Sequence, residues 1–180
     1  MVLVGSTHLH PLDGLLSPLF EIKMKLFKWL CFLPINLLMG LLVIPLAPIA
    51  VAFFSTEDKR HLTRFKWLET IDNDLTGDKD EGWRQTHLIG DDPYTWLNRT
   101  RWLWRNGGNS VNYNLLGCVY ANTFQIDDYL WLNADGYWLY RRPIWITKKR
   151  FIDFYIGWQI LGPKLGKCKF VCTIRLKTKP

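Results

Sequence analysis

Cysteine is scarce in this chain, with four in 180 residues, no C-x-x-C pair and no Cys/His spacing suited to zinc. A metal ribbon and a disulfide framework are thereby excluded, and the thiols read as reduced packing groups in a cytosolic compartment. Cys31 falls in an apolar run and Cys118 stands alone. Cys168 and Cys172 on one strand would share a face about 13 Å apart, too far to bridge. Also missing are a nucleophile elbow, an HExxH helix, a P-loop and a glycine-rich dinucleotide turn, so the commonest enzyme chemistries have no visible carrier. Charged residues at 22% and hydrophobic ones at 48% exclude wholesale disorder. The length leaves room for one domain with an accessory segment and not for two.

Long apolar sequence is what the chain has in quantity. From Trp29 to Phe54 there is no charge, and Asn36 is the only strongly polar side chain. A helix needs roughly 20 apolar residues to cross about 30 Å of hydrocarbon, so the run is long enough to span. A secretory signal would have a shorter apolar core of about 7 to 15 residues, although Ala50-Val51-Ala52 resembles a cleavage site. A buried core helix is rarely apolar on every face in so small a protein. Pro34, Gly40, Pro45 and Pro48 make a kinked span or a re-entrant wedge the remaining forms.

The expected organisation is a flexible segment over residues 1–23, a membrane anchor over 24–56, and a soluble Trp-rich α+β domain over 57–180. The candidate anchor residues are Trp29, Phe32, Pro34, Pro45, Pro48 and Phe54. Lys23, Lys25 and Lys28 precede the run, while Lys59, Arg60, Arg64 and Lys66 follow it, so positive charge flanks both ends. A wedge with both ends cytoplasmic would satisfy both flanks, which favours a cytoplasmic soluble domain.

Net charge is +7, and it is segregated: acids outnumber bases between Ser55 and Asp92, and bases outnumber acids from Pro93 onward. Within the acidic part, Asp72, Asp74, Asp78 and Asp80 alternate around Gly77 like the oxygens of a calcium loop, but Trp83 stands where a bidentate Glu would close it. These four aspartates are the candidate ligands for a divalent cation, and the competing reading is a solvated turn bonding its own backbone. No cofactor beyond that ion is implied.

Asp91-Asp92-Pro93 and Asn106-Gly107-Gly108 bracket a helix of about fourteen residues. On its wheel Tyr94, Asn98, Arg101 and Arg105 form one polar sector, and Trp96, Leu97, Trp102, Leu103 and Trp104 occupy most of the remainder. Arg101 and Arg105, four apart, are the candidate anion-binding pair; the favoured alternative pairs them with the acidic loop. Beyond Val111 short aromatic and β-branched runs begin with Gln125–Leu132 and end with Phe170–Leu176. Asn133–Gly136, Lys148–Arg150 and Gly162–Gly166 are the turns between them, so the soluble part is expected as an antiparallel meander of four or five strands with one or two helices packed on it.

The anchor sequences PINLL and PLAPIA, followed by TIDNDLTGDKDEGW, YTWLNRTRWLWRN, GWQI and FVCTIRLK, resemble a family of uncharacterised membrane-associated proteins of tailed bacteriophages. The likeness runs from about Met24 to Leu176. It implies an accessory protein at the host inner membrane. The membrane tether, with aromatic and basic residues suited to headgroups and paired arginines suited to phosphates, favours action by binding, with the lipid bilayer and an unidentified host or phage protein as partners. Two other classes stand beside it. Basic residues interleaved with Trp and Tyr after Pro93 suit nucleic acid, and the four aspartates with a metal suit a metal-dependent enzyme.

Overall fold

The computed structural model describes residues 13–159 and 166–179, with side chains from Glu21 onward. Residues 1–12 of the segment expected to be flexible, and most of the turn expected at Gly162–Gly166, lie outside the described residues. Helix α1 (Asp13–Phe53) has 41 residues, about 60 Å at a rise of ~1.5 Å per residue. It begins well before Met24 and runs through Pro34, Pro45 and Pro48 without reversing, so the continuous helix is adopted and the wedge is not.

Proline is tolerated here because a carbonyl that it orphans is bonded from outside. Pro48 has no N–H for the Ile44 carbonyl, and Trp104 Nε1 donates to that oxygen at 3.0 Å. Trp96 Nε1 donates to the Pro48 carbonyl at 2.9 Å.

The helix is packed lengthwise on the rest of the chain. Trp29, Val43, Ala47, Ala50 and Val51 are buried, and Phe32, Leu33, Asn36, Met39 and Leu46 are half-buried. Trp29, Asn36, Val43 and Ala50 recur every seven residues, so one stripe faces inward along most of the helix. The other face exposes Phe27, Leu30, Leu37, Leu38, Leu41, Leu42 and Ile44. The core-helix reading thus describes the inner stripe. Over the C-terminal half the two faces differ in size more than in polarity, with alanine and valine buried inward and leucine outward. Polar contacts fix the seam: Lys28 Nζ donates to Tyr137 Oη at 3.0 Å, Trp29 Nε1 to the Val171 carbonyl at 3.3 Å, and Asn36 Nδ2 to Asn112 Oδ1 at 2.9 Å.

A 3-10 turn (Lys66–Leu68) and three short helices follow: α2 (Glu81–Thr86), α3 (Trp96–Asn106) and α4 (Asn109–Asn114). Helix α3 is shorter than the expected fourteen residues because its cap is Thr95, whose hydroxyl accepts from Asn98 N at 3.2 Å. The residues before it form a loop held by the Asn98 side chain, which accepts from Ile89 N and donates to the Ile89 and Asp92 carbonyls. Asn98 is therefore buried rather than part of an outward polar sector, while Trp96, Leu97 and Trp104 are exposed.

Among the described residues six antiparallel strands complete the α+β fold: β1 (Cys118–Val119), β2 (Thr123–Gln125), β3 (Leu130–Asn133), β4 (Trp138–Trp145), β5 (Arg150–Gln159) and β6 (Lys167–Thr178), in the order β1-β6-β5-β4-β3-β2. Strands β2 to β6 are the expected meander. The run Gln125–Leu132 is broken where Asp127 Oδ1 accepts from the N–H groups of Tyr129 and Leu130, at 2.7 and 2.8 Å, turning β2 into β3. Strand β1 returns to the β6 edge and sets Cys118 opposite Cys168, so Cys118 is not alone. Donation of its S–H to Cys168, together with burial, pushes the Cys118 thiol up.

Both hydrophobic cores depend on α1. Its N-terminal half packs Trp29 with Leu116, Trp138, Leu139, Trp158 and Phe170 against the sheet. Its C-terminal half packs Val43, Ala47, Ala50 and Val51 with Leu62, Leu68, Leu75, Trp83, Trp102 and Leu103.

Candidate functional site

The acidic loop is built as a scaffold for α3. Gly77 takes φ 65°, and a Cβ there would fall 2.6 Å from Trp83 Cδ1 and 2.9 Å from the Trp102 ring, so only glycine fits the turn. Buried Asp74 accepts from Thr76 N at 2.7 Å through Oδ1 and pairs with Arg60 Nε at 3.1 Å through Oδ2. Asp78 Oδ1 accepts from Asp74 N at 2.9 Å. Asp80 caps α2, its Oδ1 accepting from Trp83 N at 2.8 Å, while its Oδ2 lies 3.3 Å from Arg105 Nη1. Asp72 is exposed. Three of the four candidate metal ligands are thus engaged by backbone N–H groups, and among the described residues no three His, Cys, Asp or Glu side chains converge on a common point.

Arg105 therefore makes the ion pair with the acidic loop that the charge segregation suggests, and Arg101 does not. Both guanidinium groups lie over the Trp83 ring, at 5.9 Å for Arg101 and 5.4 Å for Arg105. Trp83 also stacks on His87 at 5.4 Å. Arg101 Nη1 is buried with no hydrogen-bond partner among the described residues. With Trp104 and Arg175 of β6, these side chains line an open recess of about 480 Å³. It adjoins a second cavity of about 400 Å³ that shares Arg105 and Arg175 and also receives Arg141, Asp153, Lys169 and Lys177. Asp153 is neutralised there by Lys177 Nζ at 2.5 Å and Arg141 Nε at 3.8 Å. Burial holds the Lys169 ammonium below the usual lysine range and pushes the Tyr155 hydroxyl up to about 12. The arrangement is cationic, donor-rich and floored by aromatic rings, which suits an anion.

The residues assigned to the anchor divide between its two faces. Trp29 is buried and Phe32 half-buried in the sheet core, Pro34 and Pro45 point outward, and Pro48 and Phe54 are half-buried. Arg175 was missed because it lies far along the chain from Arg101 and Arg105, and only the sheet register brings it near. Arg99 was missed as well. It is buried, its Nε donating to the Tyr94 carbonyl at 3.0 Å and its Nη1 to Ser55 Oγ at 2.6 Å, tying the end of α1 to α3. Burial pulls its pKa below the ordinary arginine value. Arg99→Met is expected to leave those acceptors unpaired and cost about 1–3 kcal/mol, read as a lower urea midpoint of the detergent-solubilised chain with an unchanged slope.

The profile of DUF7338, described as a family of unknown function, matches residues 21–179, and the chain belongs to that family. The match takes in the packed part of α1 together with every later element. Neither the curated proteins nor the solved structures give a match.

Proposed function

We propose that this is a membrane-bound interaction protein of the bacteriophage accessory kind, acting by occupancy at the host inner membrane from the cytoplasmic side. The observation that carries this reading is the outer face of α1. Glu21–Phe53 is long and apolar enough to cross a membrane, with mean hydropathy 2.3 in its most apolar stretch. Yet its inner stripe is bonded to the folded domain from Lys28 to Val51, roughly 35 Å of helix. A perpendicular span would drag the charged sheet and loops into hydrocarbon, at several kcal/mol for each unpaired group. An in-plane helix instead puts Leu37, Leu38 and Leu41 into the acyl region and leaves the domain in water.

That geometry also accounts for the charge flanks. Both ends of an in-plane helix lie on one side of the bilayer, so Lys23, Lys25 and Lys28 at one end and Lys59, Arg60, Arg64 and Lys66 at the other meet the same anionic leaflet. The exposed indoles of Trp96 and Trp104 flank the helix where interfacial aromatics belong. The phage setting is supported by the motif resemblance alone, through TIDNDLTGD and WLNRTRWLWRN.

Flotation of the full-length chain on phosphatidylethanolamine–phosphatidylglycerol vesicles, joined to protease protection of a C-terminal tag in spheroplasts, tests the reading. The expected result is a floating, unprocessed chain whose tag is cut only after lysis. Unprocessed chain left soluble without detergent would overturn the membrane role, and a tag cut in intact spheroplasts would overturn the sidedness.

A further inference from the structure

Two of the three arginines at the recess have no carboxylate within ion-pair distance among the described residues: Arg101 and Arg175 are absent from all five ion pairs, and only Arg105 has one, with Asp80. Like charges gathered around one hollow repel unless something anionic joins them, and the buried Nη1 of Arg101 is a charged donor without an acceptor. The floor is Trp83, with Arg101 and Arg105 over its face, so both forks are held by stacking. The rim is Trp104, whose indole is bonded to the Ile44 carbonyl on the exposed apolar face of α1. A charged hollow and an oily helix face therefore share one side chain.

We infer that the recess formed by Arg101, Arg105 and Arg175 over Trp83 binds a phosphate group. Its source is either the headgroup of an anionic phospholipid, with acyl chains along Leu41 and Ile44, or a free phosphate-bearing molecule. The lipid form rests on the membrane reading above; the phosphate chemistry does not. Guanidinium groups bind phosphate oxygens through paired N–H donors, which an ammonium cannot reproduce. His87, whose Nδ1 is engaged by the Thr86 hydroxyl at 2.5 Å, also lines the recess, stacked on Trp83.

The full-length chain would be measured on phosphatidylcholine vesicles with and without phosphatidylglycerol, and in nonionic micelles with inorganic phosphate or with chloride at matched ionic strength. If lipid is the source, phosphatidylglycerol strengthens partitioning, and R101Q and R175Q each remove about fivefold of that gain. R101K loses a similar share despite keeping its charge, while K149Q, on the exposed β4–β5 turn, loses less. If a free phosphate is the source, inorganic phosphate raises the thermal midpoint of the wild type in micelles and not that of R101Q or R175Q. Near-ultraviolet circular dichroism checks that each variant is folded. The inference is overturned if neither effect occurs, or if K149Q and R101Q weaken lipid partitioning equally and phosphate gives no shift. Failure to bind even neutral vesicles would sink the membrane reading alone, because the micelle arm still decides the recess.

Discussion

A fragment beginning at residue 57 is expected to be recovered as an aggregated or molten chain, with the near-ultraviolet signal of its tryptophans collapsed and no cooperative urea transition. The reason is that α1 supplies part of both cores. Removing Trp29 opens the space between Trp138 and Phe170, whose rings lie 5.7 and 5.8 Å from it. Removing Val43, Ala47, Ala50 and Val51 uncovers Leu62, Leu75, Trp102 and Leu103, all of them buried. At about 1.5–3 kcal/mol for each large buried side chain, Trp29, Val43 and Val51 alone contribute roughly 5–9 kcal/mol. A domain of this size commonly has about 5–15 kcal/mol in total. The exposed indoles of Trp96 and Trp104 would exchange their α1 carbonyls for water, which adds little to the loss. Full-length chain in mild detergent supplies the comparison: it should unfold in one sharp transition. A cooperative, tryptophan-ordered 57–180 fragment would mean that the packing of α1 contributes little, and would return the helix to the status of a detachable tether.

That expectation marks where the sequence was legible. The apolar run, the turns at Asn133–Gly136 and Lys148–Arg150, and the alternation that becomes β4, β5 and β6 are local signals. Each follows from a few adjacent residues, and each is present in the fold. The lengthwise packing of α1 is different. The C-terminal half of its inner stripe is written in size, with Ala47, Ala50, Val43 and Val51 among leucines, and a polarity pattern is blind to that distinction. Asn36, the one polar side chain in the run, was the available clue, since it sits in the same stripe as Trp29 and Val43 and finds Asn112 across the seam. The recess was half legible. Arg101 and Arg105 one helical turn apart gave two of its cations, but Arg175 arrives through strand pairing and Trp83 through the turn at Gly77, and neither long-range approach is encoded in nearby sequence. Likewise the alternation of aspartates and its pairing with Arg105 were visible, whereas the capping of α2 by Asp80 and the pairing of Asp74 with Arg60 were not, because both depend on what the loop packs against.

Charging the outer face of α1 is expected to separate anchoring from folding. Leu38 and Leu41 are each 56% exposed and touch the solvent side of the helix, whereas Val43, only two residues further on, is 2% exposed and lies against Gly107. In the double variant Leu38→Asp with Leu41→Asp, each substitution removes about 1.5–3 kcal/mol of apolar transfer, a combined fall of more than a hundredfold in vesicle partitioning. Surface substitutions remote from packed contacts change stability by about 0.5 kcal/mol or less, so the thermal midpoint in micelles should barely move. Val43→Asp should do the reverse to the fold: a carboxylate pressed against the Gly107 backbone is unpaired and buried, and the cooperative transition should be lost. The contrast discriminates between coverings of the leucine face. If Leu38→Asp with Leu41→Asp leaves partitioning intact, lipid does not cover that face. If it lowers the midpoint as severely as Val43→Asp, a protein surface covers it, and the in-plane anchor gives way to an interface between chains.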